Sequence, residues 1–339
     1  MIGPTVPNRL GAGRRWGFGG LRASARQCPA TTVGPVNTPD SATLAWAAGA
    51  LGAERPARVV RCLAGGSHAD THLLETSAGR AVLRRFPTGD DAAANEARTL
   101  TALDGLGGFA PRLLAADPDG ARTGRPATLI TVLPGAPDIL HTDPGAAAAR
   151  LGRALARLHA VPTGTLAELR DGVATSDAAP ARRLDQGPTG PIVDAHARTI
   201  AAEPRVLTHS DFWAGNVMWS DGELTGVIDW SGGSLAPRGF DVGWCRLDLV
   251  ILHGSETAAA FLDAYENAAG YPVANVELWD LYTLRSSHQT VETWVPNYRD
   301  LGRTDLTADA LRARHTAWTH ECLHRWNSRT SPSGYADTL

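Results

Sequence analysis

The chain has 339 residues, 43% of them hydrophobic, and is long enough for two compact lobes with separate cores. Thirty-two basic residues against 35 acidic ones give a formal net charge of −3, which argues against a general nucleic-acid-binding protein. The sequence has no run of about 18 apolar residues and no apolar signal segment at its start, so we expect a cytoplasmic protein with small-molecule partners.

All 32 basic residues are arginine, and the chain contains no lysine. The guanidinium group of arginine is a rigid planar fork of donors, whereas the lysine ammonium is a compact point charge. We therefore expect an arginine wherever a lysine would usually hold a phosphate group.

Residues 1–38 are rich in Gly, Pro and Arg and follow neither a helical nor a strand period, which predicts a disordered arm. A basic arm can bind nucleic acid, and such binding would depend strongly on salt. The composition fits a solvated tail better, so we expect no nucleic-acid partner.

Residues 41–133 are predicted to form the smaller, N-terminal lobe, an antiparallel sheet with a packed helix. A short helix begins near Ser41, and a longer helical pattern with Ala, Leu and Glu covers 91–106. Strand-like apolar runs lie at 58–66, 71–86 and 127–135.

Residues 134–140 are predicted to link this lobe to a larger, mainly helical lobe at 141–330. Pro144 stands near the first turn of a strongly amphipathic helix, a position that proline favours. The strand-like runs RVLTHSD and LTGVIDW flank a loop, and most of the sequence after Asp241 follows a helical period.

The pattern His-x-Asp-x-x-x-x-Asn at 209–216, followed by Asp229 after a strand-like run, predicts phosphoryl transfer. This reaction needs an acceptor hydroxyl held in line and cations that neutralise phosphate charge. We expect Asp211 to orient the acceptor and take its proton, and His209 to hold the loop by hydrogen bonds. Asn216 and Asp229 offer the oxygen ligands that Mg²⁺ prefers.

The motifs HSDFWAGNVMW and GVIDW resemble those of the aminoglycoside phosphotransferase family, whose relatives include choline kinases and protein kinases. The resemblance covers about residues 45–330 and is strongest at 205–245. It implies an α+β, bilobal protein-kinase-like fold and a Mg²⁺-dependent enzyme that transfers the γ-phosphate of ATP or GTP to a hydroxyl.

The acceptor that the resemblance implies is an antibiotic-like natural product, such as an aminoglycoside, a nucleoside or a peptide antibiotic, phosphorylated for resistance or self-protection. Two alternatives stay open. One is a metabolic kinase acting on choline, homoserine or a sugar, and the other is a pseudokinase scaffold without turnover. The oligomeric state is open as well.

The resemblance also places the nucleotide. Its loop is LAGGSHADTHLLET, where backbone amides cradle phosphate, and its hinge is ITVLPG. The residues expected to contact the nucleotide in these two segments are Gly65, Gly66, Ser67, His68, Thr131 and Leu133.

The third strand of the resemblance, AVLRR, offers Arg84 where kinases carry a lysine, or Arg85 if the register shifts by one. Because strand side chains alternate between faces, only one of the two can face the nucleotide, and we expect Arg84 to do so. Its expected partner is Glu96 on the following helix, whose carboxylate would fix the guanidinium beneath the phosphates.

Asp241 is expected to be a structural carboxylate near the catalytic loop rather than a third metal ligand. His159 is expected to be a helix-end histidine bonded to nearby backbone rather than a base. Several aromatic and acidic side chains lie in the helical region where relatives bind the acceptor, although core packing and surface charge explain them equally well. They are Trp279, Trp294, Trp318, Trp326, Asp248, Asp263, Glu266, Glu277, Asp280 and Glu292.

Overall fold

A computed structural model describes residues 38–63, 68–178 and 185–330. Residues 64–67 of the predicted nucleotide loop, which include Gly65, Gly66 and Ser67, lie outside the described residues, as does the predicted arm except for Thr38.

An antiparallel sheet of five strands forms the N-terminal part of the structure, with strand order β1-β2-β3-β5-β4. Its strands are β1 (Arg58–Leu63), β2 (Asp70–Thr76), β3 (Gly79–Arg85), β4 (Leu113–Asp117) and β5 (Ala127–Ile130). The helices α1 (Ser41–Ala50) and α2 (Ala92–Leu103) belong to the same part.

Alternation along β3 and β5 assigns the two helices to opposite faces of the sheet. Leu83 and Leu129 are fully buried in a cluster with Ala47 of α1. Their neighbours Arg84 and Thr128 contact α2 on the other face. The face toward α2 thus carries the polar residues that form the site.

Two small sheets frame the catalytic loop. β6 (Ala136–Pro137) pairs with β8 (Val217–Ser220), which pairs with β9 (Glu223–Val227). β7 (Arg205–Thr208) pairs with β10 (Ser234–Pro237). Gly135 precedes β6 with φ 95°, and a Cβ there would lie 2.2 Å from the carbonyl oxygen of Trp219, so this close approach requires glycine.

The described chain after residue 143 contains nine α-helices, and their core is a large cluster in which α3 packs on α8 and α7 packs on α8 and α9. Asp143 caps the first of them, because its side chain accepts a hydrogen bond from the Ala146 amide at 2.9 Å. The helices are α3 (Pro144–His159), α4 (Gly172–Asp177), α5 (Gly190–Ala195), α6 (Ala197–Ala202), α7 (Gly239–His253), α8 (Ser255–Ala269), α9 (Val276–Ser287), α10 (Val295–Asp300) and α11 (Ala308–Thr330).

The antiparallel sheet followed by a mainly helical part confirms the predicted α+β, kinase-like fold class. Strands β4, β6, β8 and β10 were not predicted. Within the described ranges, no helix is both long and apolar enough to span a membrane. The lobe limits at 41–133, 134–140 and 141–330 remain our proposal.

Candidate active site

The loop between β7 and β8 contains His209, Asp211 and Asn216, and a turn after β9 contains Asp229. The Nε2 atom of His209 donates to the carbonyl oxygen of Ile228 at 2.8 Å, which joins the loop to the turn beside Asp229. Burial lowers the pKa of His209, so the ring is neutral and carries its proton on Nε2. The structure thus places His209 as a support between the two segments.

Asp241, on the first turn of α7, holds the start of the catalytic loop through hydrogen bonds to its backbone. Its carboxylate is fully buried and accepts hydrogen bonds from the backbone amides of His209 at 2.7 Å and Ser210 at 2.8 Å. These bonds hold Ser210 in the left-handed region with φ 67°, an uncommon conformation for a residue with a side chain. Such strain at a loop indicates a functional constraint.

His159 lies behind Asp241, with its Nε2 atom 3.3 Å from an Asp241 oxygen and its Nδ1 atom 2.8 Å from the Tyr265 hydroxyl. The prediction that His159 bonds to nearby backbone is therefore wrong. Its ring nitrogens instead contact Asp241 of α7 and Tyr265 of α8.

Asp211 is exposed to the cleft and is held by Asn216, whose Nδ2 donates to the Asp211 carboxylate and to its carbonyl oxygen, both at 2.9 Å. The surrounding protein limits hydration of this carboxylate. That desolvation, with the negative charges of Asp229 and Asp248, raises the pKa of Asp211 well above its usual value. A carboxyl group with a raised pKa is a better proton acceptor once ionised.

Arg84 lies between two carboxylates and contacts both. Its Nη1 pairs with Glu96, and its Nη2 is 2.6 Å from Oδ1 of Asp229. The other oxygen of Glu96 accepts a hydrogen bond from the Thr128 hydroxyl at 2.6 Å. Burial would lower the pKa of Arg84, but the two carboxylates raise it, so the guanidinium stays charged. The next residue, Arg85, lies on the opposite side of β3, as alternation requires.

The two carboxylates beside Arg84 differ in their ionisation. Burial would raise the pKa of Asp229, but Arg84 and the Ser231 hydroxyl outweigh it and lower that pKa to about 2. Glu96 is fully buried, and this burial raises its pKa against the opposing charge of Arg84. Asp229 therefore stays ionised to a lower pH than Glu96 does.

The donor set around Asp229 fits a magnesium ion that is shared with phosphate. Arg84 and Ser231 both contact Oδ1 of Asp229, so Oδ2 is left as a ligand, and Asn216 uses only its amide nitrogen toward Asp211. In the described part of the chain, no group of three or more His, Cys, Asp or Glu side chains could hold a metal. Mg²⁺ commonly takes one or two protein oxygens together with water and substrate phosphates.

His68 is the first described residue after positions 64–67 of the predicted nucleotide loop. Its Nε2 is 2.8 Å from Oδ2 of Asp90, and this hydrogen bond raises the pKa of His68 above its ordinary value. Its ring centroid is 6.0 Å from that of Phe86, and Arg84 lies over the same phenylalanine. His68 therefore joins the nucleotide loop to the segment before α2 and lies beside Arg84.

At the predicted hinge, the amide of Thr131 donates to the Arg112 carbonyl oxygen at 3.0 Å, and the Thr131 hydroxyl accepts from the Arg112 amide at 2.9 Å. These two groups of Thr131 are thus committed to the segment before β4. Leu133 is buried and Val132 is 43% exposed. A bound base would have to use the Thr131 carbonyl or the backbone that follows.

Asp248 and four aromatic residues pack together beside the catalytic loop. Trp213 and Tyr298 are buried, whereas Asp248, Trp244 and Trp294 are half-buried. The Tyr298 hydroxyl donates to Oδ1 of Asp248 at 2.5 Å, and the Tyr298 ring meets Trp213 at 5.6 Å between centroids. Trp244, one helical turn before Asp248 on α7, packs on Trp294 at 6.1 Å. Burial raises the pKa of Asp248 to about 7. We call these five residues the acceptor face.

Only two of the aromatic and acidic residues singled out from the sequence, Asp248 and Trp294, belong to the acceptor face. Trp279 and Trp318 are buried in the core, and Trp326 packs on the ring of His196. Sequence reasoning missed Trp244 and Tyr298. The four-residue spacing from Trp244 to Asp248 on a helical pattern was a usable signal for the first of these.

Comparison with known proteins identifies a family and similar folds. The sequence profile of the phosphotransferase enzyme family matches residues 59–276. A Ralstonia eutropha protein described as an aminoglycoside phosphotransferase has a similar structure, with 18% identity, a TM-score of 0.59, and coverage of 85% of this chain and 99% of that one.

Two further solved structures are similar. The choline kinase LicA of Streptococcus pneumoniae is 16% identical with a TM-score of 0.54, over 79% of this chain and 94% of that one. An aminoglycoside-3'-phosphotransferase of type VIII is 22% identical with a TM-score of 0.51, over 68% of this chain and 91% of that one. Among curated proteins, none matches the chain. At these identities the structures establish the fold.

Proposed function

The chain belongs to the phosphotransferase enzyme family, and we propose that it transfers the γ-phosphate of ATP or GTP to a hydroxyl of a small, positively charged molecule. The observation that carries the proposal is the contact of Arg84 with Asp229 while Asn216 holds Asp211. These contacts bring a cation, two oxygen ligands and a base into one cleft, as phosphoryl transfer requires.

The nucleotide side of the cleft is built around the Arg84 guanidinium, which stays charged at neutral pH. Arg84 is held by Glu96 at one arm of its fork and by Asp229 at the other, and a phosphate bound next to Asp229 would meet its guanidinium. His68 would add a second donor beside it. We propose that the base contacts the backbone from the Thr131 carbonyl to Leu133. Mg²⁺, held by Asn216 and Asp229, would neutralise phosphate charge.

On the acceptor side, Asp211 would orient the hydroxyl of the acceptor and take its proton as the oxygen bonds to phosphorus. The hydrogen bonds from Asn216 fix the Asp211 carboxylate in one orientation. Holding the reactants in line lowers the activation barrier, because the entropy cost of bringing them together is met when they bind. Such positioning is the main contribution that the protein makes to this reaction.

The acceptor face supports an acceptor with a cationic nitrogen. Asp211 and Asp248 are close enough for the charge of Asp248 to raise the pKa of Asp211. Among the described residues, the only hydrogen bond to the Asp248 side chain comes from Tyr298 rather than from an arginine. The Trp244 and Trp294 rings add aromatic surface, which attracts ammonium groups. A cationic acceptor would supply the missing positive charge.

We place an antibiotic-like natural product first among acceptors, with phosphorylation serving resistance or self-protection. A metabolic acceptor such as choline, homoserine or a sugar comes second. A neutral sugar would leave the two carboxylates without a counter-charge, so the acceptor face favours an amine-bearing compound.

The test is a transfer assay with radiolabelled ATP and GTP against a panel of aminoglycosides, peptide and nucleoside antibiotics, choline and homoserine. Asp211→Asn should lower turnover by about 10²–10⁴-fold, the range for loss of a general base, while nucleotide binding persists. Asp229→Asn should instead weaken Mg²⁺-nucleotide binding. Asp263→Asn, at an exposed carboxylate on α8, is the matched control and should change neither.

Wild-type turnover in Asp211→Asn would remove this residue as the base. Nucleotide binding without transfer to any acceptor on the panel would favour the pseudokinase alternative.

A further inference from the structure

Helix α2 has a second connection to the Asp229 turn, made by the residue next to Glu96. Asn95 is fully buried, and its Nδ2 donates to the carbonyl oxygens of Ser231 and Gly233, each at 2.9 Å. Both carbonyls belong to the turn and strand start that follow Asp229. One side chain of the N-terminal part thus holds the backbone of the segment that carries the metal ligand.

The surroundings of this contact show that it is closely fitted. A Cβ placed on Gly233 would lie 2.5 Å from Cγ2 of Thr99, so α2 approaches the turn more closely there than any side chain would allow. Ser231 also receives a hydrogen bond at 3.1 Å from Arg170, which comes from the helical part. The Ser231 carbonyl therefore accepts hydrogen bonds from both parts of the molecule.

An amide side chain is the group that this position requires. Asparagine offers two N–H donors on one nitrogen, and both are used here. An aspartate of the same shape would place carboxylate oxygens against two backbone carbonyls. It would leave those carbonyls without their donor and add a buried negative charge.

We propose that Asn95 is a positioning residue for phosphoryl transfer, because it sets the distance between α2 and the Asp229 turn so that Arg84 contacts Glu96 and Asp229 at once. α2 then reaches the turn by two parallel connections, one through the charges of Glu96 and Arg84 and one through Asn95. The inference rests on the proposed function, since it concerns how the nucleotide site is held ready.

The experiment measures binding of a non-hydrolysable ATP or GTP analogue to the full chain by calorimetry, with and without Mg²⁺. Asn95→Asp should raise the Mg²⁺-nucleotide Kd by about tenfold, which corresponds to about 1.4 kcal/mol. Asn95→Ala should have a smaller effect, because Arg170 still donates to Ser231. Thr101→Val is the matched control on the same helix, since the Thr101 hydroxyl is exposed and bonds only to Ala97; it should bind like wild type.

A double-mutant cycle separates positioning from simple helix packing. If Asn95 acts through the charge connection, Asn95→Ala and Glu96→Gln should be non-additive in nucleotide Kd. Additive effects would overturn the positioning role, as would wild-type Kd values in both Asn95 variants. If the wild-type chain itself bound no Mg²⁺-nucleotide, the proposed function would fail, and this inference with it. Thermal unfolding of each variant identifies any that do not fold, and the alanine variant then carries the test.

Discussion

Replacing Arg84 by methionine tests the arrangement on which the proposed nucleotide site depends. The Arg84 side chain is 6% exposed, and the two carboxylates it contacts are 1% exposed at Glu96 and 20% exposed at Asp229. Methionine keeps much of the apolar volume but leaves Glu96 with only the Thr128 hydroxyl as a donor. Removing one partner of a buried ion pair costs about 3–5 kcal/mol of unfolding free energy.

Most of that loss should come from Glu96, because Asp229 can still reach water. The loss should also depend on pH. Without Arg84, the already raised pKa of Glu96 rises further. The buried Glu96 carboxylate therefore destabilises the folded state fully above that folded-state pKa. This loss of stability disappears as the pH falls toward 4.5, the ordinary pKa of a glutamate. The depressed pKa of Asp229, about 2, stabilises the wild type above pH 3.8, and this contribution vanishes in acid. Both effects predict a smaller difference from wild type at low pH.

Urea unfolding followed by tryptophan fluorescence at pH 8 and pH 5 measures the difference. Adding Glu96→Gln to Arg84→Met removes the buried charge that lost its partner, so the double variant should be more stable than the sum of the two single losses predicts. The reasoning would be refuted if the double variant lost as much unfolding free energy as the two single variants together. It would also be refuted if Arg84→Met lost the same unfolding free energy at both pH values.

Two further changes test the acceptor face and the link between the two parts. Asp248→Asn removes a charge that raises the pKa of Asp211, so the acid limb of kcat/KM against pH should move to lower pH. An unmoved limb would show that the charge of Asp248 does not influence the ionisation of Asp211. Gly135→Ala puts a Cβ 2.2 Å from the Trp219 carbonyl at φ 95° and should cost about 1–3 kcal/mol in unfolding free energy, the typical cost of overpacking. Gly164→Ala, where a Cβ meets nothing within 4 Å, is the control and should unfold near the wild-type Tm.

Local patterns predicted the parts of the site that alternate or repeat along the chain. Strand alternation predicted that Arg84 and Arg85 lie on opposite faces of β3, and the expected pair of Arg84 with Glu96 is present. Pro144 begins α3 with Asp143 as its cap, as helix-start signals indicate. The strand-like runs RVLTHSD and LTGVIDW predicted a loop around Asn216, and in the structure Asn216 bonds back to Asp211 within that loop.

The remaining features depend on contacts between distant residues, for which the sequence carries no local signal. Tyr298 bonds to Asp248 across 50 positions, and Asn95 bonds to Gly233 across 138. The edge strand β4 was missed because most of its residues are half-buried without alternation. His159 was given the wrong partners because only tertiary packing brings Asp241 and Tyr265 to its ring.

The all-arginine composition, with Arg84 proposed to take the place of the kinase lysine, has a consequence for chemical probing of this enzyme. Nucleotide reagents that acylate a side-chain amine, a common way to label the phosphate site of kinases, have no amine to attack here except the α-amino group of the chain. Dicarbonyl reagents directed at guanidinium groups would react with many other arginines as well. A selective label would have to use another group in the cleft, such as the ring of His68.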